Sequence, residues 1–194
     1  MNKTEIKFVT VFCASSPDVA QEYKDAAAAV GNLLATAGAG VITGAGNMGL
    51  MGCVNNAAIA AGGYTLGIIP QFMIDRGWHH TGLRKLISVD NMHMRKSMMA
   101  ARSVASIALP GGIGTLEELL EIITWRQLGL YEGNVVILNI NGYYDHLLQM
   151  LDTAVERRFM RPDHRSLWTV ATTPEEAVKA ALAPAYKLNL SPKF

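Results

Sequence analysis

Residues 109–120 read LPGGIGTLEELL. Gly111, Gly112 and Gly114 let a backbone approach an anion closely, and the helix that follows offers unpaired N–H groups and a partial positive charge. Thr115 adds a hydroxyl. These four residues form a candidate phosphate cradle. Glu117 and Glu118 come within one turn of it, and carboxylates do not suit phosphate. Two readings of Glu118 stand side by side. Thr115-Leu116-Glu117-Glu118 has the S/T-x-x-E spacing of a capping box, and the same carboxylate can serve catalysis.

The stretch MHMRK at 92–96 adds weight to catalysis. Arg95 and Lys96 are adjacent cations near a helix start, where the macrodipole disfavours positive charge. At a ligand-binding edge they complement an anionic group. A nucleoside monophosphate has one anionic end and a sugar whose anomeric carbon becomes cationic as the base departs. Glycine-loop N–H groups suit its phosphate, and carboxylates suit the oxocarbenium-like sugar and the attacking water. The chemistry that fits is cleavage of an N-glycosidic bond. His93 reads as a packed or solvated histidine. His79 and His80 form no set with carboxylates at metal-ligand spacing, so no metal is expected.

A third motif is tempting in another direction. Gly44, Gly46 and Gly49 spell G-x-G-x-x-G between a strand and a helix, the dinucleotide fingerprint. The next strand ends LGIIPQ, without the acidic residue that would hold a ribose hydroxyl, so no dinucleotide cofactor is expected. These glycines either permit tight helix–sheet packing or touch a ligand, and the turn around Gly46 is a candidate aid to the phosphate site.

Such motifs need a scaffold that brings them to one edge. Short β-branched runs alternate with longer helical patterns, which predicts an α/β fold: a Rossmann-like parallel sheet with helices on both faces. Strands are expected at 8–13, 40–43, 65–69, 86–89, 106–109, 135–139 and 167–171. The first helix is expected to start with Ser16 as N-cap and Pro17 at its first position, and to run to about Ala37. Later helices are expected at 92–103, from the glycine motif to about 128, at 143–158 and at 174–182. Thr173 to Glu176, TPEE, reads as another capping box. Residues 71–84 show no clear period, carry DRGWHHTG, and read as a long functional loop. Ligands in such sheets sit beyond the carboxyl ends of the strands, where CASS (with Ser15), TGAGNMG and LPGGIGTLEE fall, with MHMRK on the same side.

With 194 residues, 50% of them hydrophobic, the chain suits a single domain over 1–194, with 186–194 a loose tail. A formal net charge of +1 offers no basic field for nucleic acid. No apolar run is long enough to span a bilayer, and the start lacks a signal-peptide pattern. Cys13 and Cys53 fit no zinc or disulfide spacing, so buried thiols in a reducing, cytoplasmic setting are expected.

PGGIGTLEE, with MHMRK upstream of it, resembles the cytokinin riboside 5′-monophosphate phosphoribohydrolases, the Lonely guy family. The likeness extends to CASS, GAGNMGLMG, TWRQLGL and NINGYYDHLL and so spans nearly the whole chain. Relatives of this family are often labelled lysine decarboxylases, but no lysine here sits in a context that suggests a pyridoxal Schiff base. The resemblance implies a Rossmann-like homodimer, without a cofactor, that hydrolyses AMP or N6-modified adenosine monophosphates to free base and ribose 5-phosphate. It implies Arg95 and Glu118 as catalytic residues. It implies substrate contacts from Ser15, Gly46, Met94, Lys96, Gly111, Gly112, Gly114, Thr115, Glu117 and Thr124, with Glu121 one turn beyond Glu118. Two positions depart from the pattern: Ala14 stands where the family commonly has glycine, and Gly77 stands where many members carry a glutamate. The rival expectation is a non-catalytic nucleotide or cofactor carrier on the same scaffold.

Overall fold

The computed structural model describes residues 6–185; the expected loose tail at 186–194 lies outside them. Seven strands form one sheet: β1 (Phe8–Phe12), β2 (Gly40–Thr43), β3 (Thr65–Pro70), β4 (Lys85–Val89), β5 (Ala105–Ala108), β6 (Asn134–Leu138) and β7 (Thr169–Ala171). Their order is β4-β3-β2-β1-β5-β6-β7, and every pairing is parallel. The helices are α1 (Gln21–Thr36), α2 (Gly49–Ala60), α3 (Gln71–Asp75), α4 (Met92–Ala101), α5 (Ile113–Gln127), α6 (Asp145–Glu156) and α7 (Pro174–Leu182).

A sheet covered on both faces needs strands that are apolar on both sides, and β2, β3 and β5 are buried at every position. One face packs under α1, α2 and α7 through residues such as Val30, Leu34, Val54 and Val178. The other packs under α4, α5 and α6 through Met99, Leu119, Ile122 and Leu148. The chain winds outward from β1 to β4, then returns to place β5 on the other side of β1. That reversal opens a crevice beyond the carboxyl ends of β1 and β5.

Four local expectations need correction. α1 begins at Gln21 with Ala20 as N-cap, so Ser16 and Pro17 do not start it. Residues 14–16 are drawn across the crevice instead: the Ala14 N–H donates to the Pro110 carbonyl at 3.2 Å, and the Ala14 carbonyl accepts from the Met51 N–H at 3.2 Å. Ala14 has no positive φ, so replacing a glycine there costs no backbone strain. α5 begins at Ile113 with Gly112 as N-cap, which leaves Thr115 in the first turn and removes the capping box assigned to Thr115 and Glu118. Residues 71–84 are not one loop, because α3 opens them. At α7 the Thr173 side chain does cap, accepting from the Glu176 N–H, but the Glu176 carboxylate reaches back chiefly to Thr172, one residue before the N-cap.

Candidate functional site

α4 carries the two cations because Asn91 fixes its start, its Oδ1 accepting from the Met94 N–H at 2.9 Å. This puts Arg95 at the end of the first turn and Lys96 just beyond it, with both side chains turned inward and buried. The Arg95 guanidinium lies against β2 and β3. Its Nε donates to the Ile68 carbonyl at 3.3 Å, and its Nη2 stands 3.6 Å from Glu118 Oε1. Both side chains are only 8% exposed. Burial lifts the Glu118 pKa, the positive charge of Arg95 pulls it back, and the net result lies above the ordinary carboxylate range. A carboxylate so poised beside a cation in a crevice is suited to acid–base or charge-stabilising work.

Lys96 is differently placed. Its Nζ is gripped by Glu117 and lies 3.0 Å from Glu121 Oε2. Burial lowers its pKa, but the hydrogen bonds and charges of the two glutamates outweigh burial and raise it. A lysine held charged by two carboxylates ties α4 to α5; it is not an amine ready to form a Schiff base.

The glycine loop divides into a supporting part and an open part. A Cβ on Gly111 would meet Thr115 Oγ1 at 2.1 Å, so this glycine makes room for the threonine. Its carbonyl accepts from the Tyr143 hydroxyl at 2.7 Å, and the Leu109 carbonyl accepts from Tyr144 at 2.6 Å. The paired tyrosines therefore brace the loop from behind, a role that sequence reading missed. At Gly112 and Gly114 no atom stands within 4 Å of an added Cβ. No side chain caps α5, so its first N–H groups remain available to an anion.

The G-x-G-x-x-G motif also resolves position by position. Gly44 leaves the space that the Arg95 guanidinium fills. The Gly46 N–H donates to Met51 Sδ at 2.9 Å. Gly49, at φ +59°, packs on the backbone of 14–16. Each glycine serves an internal contact.

These groups surround a cleft of about 570 Å³. Of the expected residues, Ser15, Gly46, Arg95, Gly112, Gly114, Thr115, Glu117 and Glu118 line it. Gly111 instead borders an adjoining apolar cavity of about 210 Å³ with Tyr23, Leu50 and Tyr143. Lys96 and Glu121 stand behind the cleft as a pair. Met94 and Thr124 are exposed and outside its lining, the Thr124 hydroxyl donating to the Leu120 carbonyl at 2.8 Å. Cys13, Ala14, Ser16, Gly44, Asn47, Met48 and Met92, all within the motifs expected at this edge, also line it, and Met51, Met73 and Trp78, which no site reading singled out, complete the wall. The signal available was a tryptophan in a polar segment after a strand. Cys13 is buried, and burial pushes its thiol pKa far up, so it is an inert wall residue. Cys53 is only partly buried.

Fold and site together define a Rossmann-like protein with a glycine-lined anion end and a buried arginine–glutamate pair at its switch point. Solved structures of that fold include the molybdenum cofactor binding protein of the phototrophic bacterium Rippkaea orientalis, with TM-score 0.70 and 21% identity over 91% of this chain and 95% of that one. The molybdenum cofactor carrier protein of Chlamydomonas reinhardtii matches with TM-score 0.69 and 22% identity over 91% of this chain and 96% of that one. At that identity they show the fold alone. Residues 51–181 match a family described as possible lysine decarboxylase. Two Arabidopsis thaliana cytokinin riboside 5′-monophosphate phosphoribohydrolases are each 43% identical: LOG3 over 92% of this chain and 83% of its own, and LOG5 over 91% and 78%. The chain belongs to this phosphoribohydrolase family.

Proposed function

We propose that the protein hydrolyses the N-glycosidic bond of adenosine 5′-monophosphates, including N6-modified ones, to the free base and ribose 5-phosphate. The observation that carries this reading is the buried Arg95–Glu118 pair at the cleft beside the open glycine loop, in a chain 43% identical to named phosphoribohydrolases.

The phosphate rests on the start of α5, where Gly112 and Gly114 leave the backbone open and Thr115 adds its hydroxyl. The sugar then lies over Glu118. As the C1′–N9 bond breaks, its electron pair goes to the base and positive charge develops at C1′. The Glu118 carboxylate stabilises that charge and takes a proton from the water that attacks C1′, and one proton taken up by the departing base gives the neutral free base and returns Glu118 to its ionised form. Arg95 orients the substrate and holds Glu118, while Lys96 fixes Glu117 and Glu121 and thereby the angle of α5. The solved cofactor carriers lend the rival carrier reading no support beyond the shared fold.

Homodimer formation is part of the proposal. α5 presents Ile113 and Leu120 uncovered, and its C-cap Leu128 is uncovered too, with Ile113 87% exposed; Met94 on α4 is exposed as well. The other methionines of α4 divide: Met99 is in the core and Met92 lines the cleft. Light scattering at micromolar concentration should give twice the chain mass, and a monomer mass would reject this. A cytoplasmic setting is likewise proposed, supported by the two free cysteines. No described helix is long and apolar enough to cross a membrane.

The function is tested by incubating the protein with AMP, N6-isopentenyl-AMP and the two nucleosides and assaying free base. Base is expected from the monophosphates only. Release from neither monophosphate, or equal release from the nucleosides, would overturn the reading.

A further inference from the structure

We propose that Trp78 is the platform on which the purine base of the substrate stacks, and that it sets affinity for the base half of the molecule. The proposal rests on the phosphoribohydrolase reading of the cleft. Sheet order supplies the geometry. The glycine loop follows β5 and Trp78 follows β3, and the order β3-β2-β1-β5 puts three strand spacings, about 14 Å, between those two strands. Between them stands the Arg95–Glu118 pair, with Gly44 at the end of β2 against the guanidinium. A nucleotide with its phosphate on the loop and its sugar over Glu118 therefore carries its base toward the end of β3.

Trp78 is 47% exposed yet lines the cleft, so a large aromatic surface is left uncovered where a planar base would arrive. Its backbone is anchored on both sides. α3 ends in a Schellman turn: Gly77 adopts φ +71°, its N–H donates to the Ile74 carbonyl at 2.8 Å, and the Trp78 N–H donates to the Met73 carbonyl at 3.1 Å. Immediately afterwards His79 bridges to Gly46, and the His80 N–H donates to the Ala45 carbonyl at 2.8 Å. The ring itself is braced, because the Arg76 guanidinium lies 5.0 Å from the Trp78 ring centroid and 5.5 Å from that of Phe72. A ring held this way loses little freedom on binding.

Gly77 thus has a conformational task. Its left-handed turn closes α3 and aims the next residue. The neighbouring wall is rich in methionine (Met48, Met51, Met73 and Met92), a soft surface that follows an irregular substituent without dictating it. The indole then grips the ring system through its face, and stacking tolerates substitution at N6 because every base has a π-face.

The test compares wild type, Trp78→Ala and Trp78→Phe. It measures KM for AMP and the inhibition constant of ribose 5-phosphate, which has the phosphate and sugar but no base. Trp78→Ala should raise KM for AMP by about 10- to 100-fold and leave the ribose 5-phosphate constant within about twofold, with Trp78→Phe recovering most of the loss. An unchanged KM for AMP overturns the proposal, and so does an equal weakening of both constants, which would mark Trp78 as a general wall residue. If wild type releases no adenine from AMP, the hydrolytic reading falls by itself. Calorimetric affinities of wild type and Trp78→Ala for AMP and ribose 5-phosphate then decide the platform on the same criterion.

Discussion

A Cβ placed on Gly44 would stand 1.7 Å from Nη2 of Arg95. The glycine at the end of β2 and the arginine on α4 are therefore a matched pair, one absent side chain making room for one buried cation. Gly44→Ala should displace the guanidinium from Glu118. A misplacement on the ångström scale costs on the order of 10²-fold in rate, and the crowding should cost about 1–3 kcal/mol of stability. Steady-state kinetics with a thermal melt checks both, and unchanged turnover would separate Arg95 from the chemistry.

Gly112 gives the opposite case. An added Cβ meets nothing within 4 Å, and the backbone at φ −81° and ψ −158° suits any residue. Gly112→Ala should fold at least as stably as wild type, gaining up to about 1 kcal/mol from a stiffer unfolded chain. A methyl group at the open start of α5 should nevertheless obstruct phosphate and raise KM for AMP. Normal KM in a stable variant would move the phosphate away from this loop.

If the loop binds the phosphate, AMP should stabilise the fold where adenosine at equal concentration does little. At a hundredfold excess over Kd the gain is about 2.7 kcal/mol. Equal thermal shifts for AMP and adenosine would remove the phosphate from the account.

The strands were legible because a sheet buried on both faces needs unbroken apolar runs, and β2 and β3 read that way residue by residue. Helix starts were legible only where local chemistry decided them. Thr173 caps α7 as its motif says, while Ser16 does not cap α1, because the segment it opens is drawn across the crevice to Pro110 and Met51. The Thr115–Glu118 capping spacing misled in the same way, since Gly112, with its extended backbone, takes the cap position. Arg95 and Glu118 were legible as motifs. Lys96 read as an anion ligand, but the pairing of α4 with α5 gives it Glu117 and Glu121. The segment that carries Trp78 was legible as functional, but the joining of Trp78 and the methionines into one wall was not. They come from segments after β2, β3 and β4, and only the strand order brings them together.

Burial lifts the Glu118 pKa above its ordinary 4.5, and Arg95 reverses this only in part. Turnover that needs the ionised carboxylate should rise with pH through that elevated value and lose this limb in Glu118→Gln. Stability should move the other way. The unfolded chain releases this proton at the lower, ordinary pKa, so the contribution of Glu118 is full below it and lost as pH rises through the folded value. The Tm of Glu118→Gln relative to wild type should climb as pH rises above the ordinary carboxylate value of 4.5 and through the elevated one. A flat or falling difference would contradict the elevated pKa.

The most direct test of the central claim is the turnover of Glu118→Gln on AMP and N6-isopentenyl-AMP, followed as free base released. With Thr115 in the first turn of α5 and Gly112 as N-cap, Glu118 has no capping duty to lose. Glutamine keeps its shape and a hydrogen-bonding carbonyl for Arg95, and removes only the negative charge. Glu118→Gln should fold, with turnover lower on the order of 10²- to 10⁴-fold. A folded Glu118→Gln protein that releases base at close to the wild-type rate would contradict it.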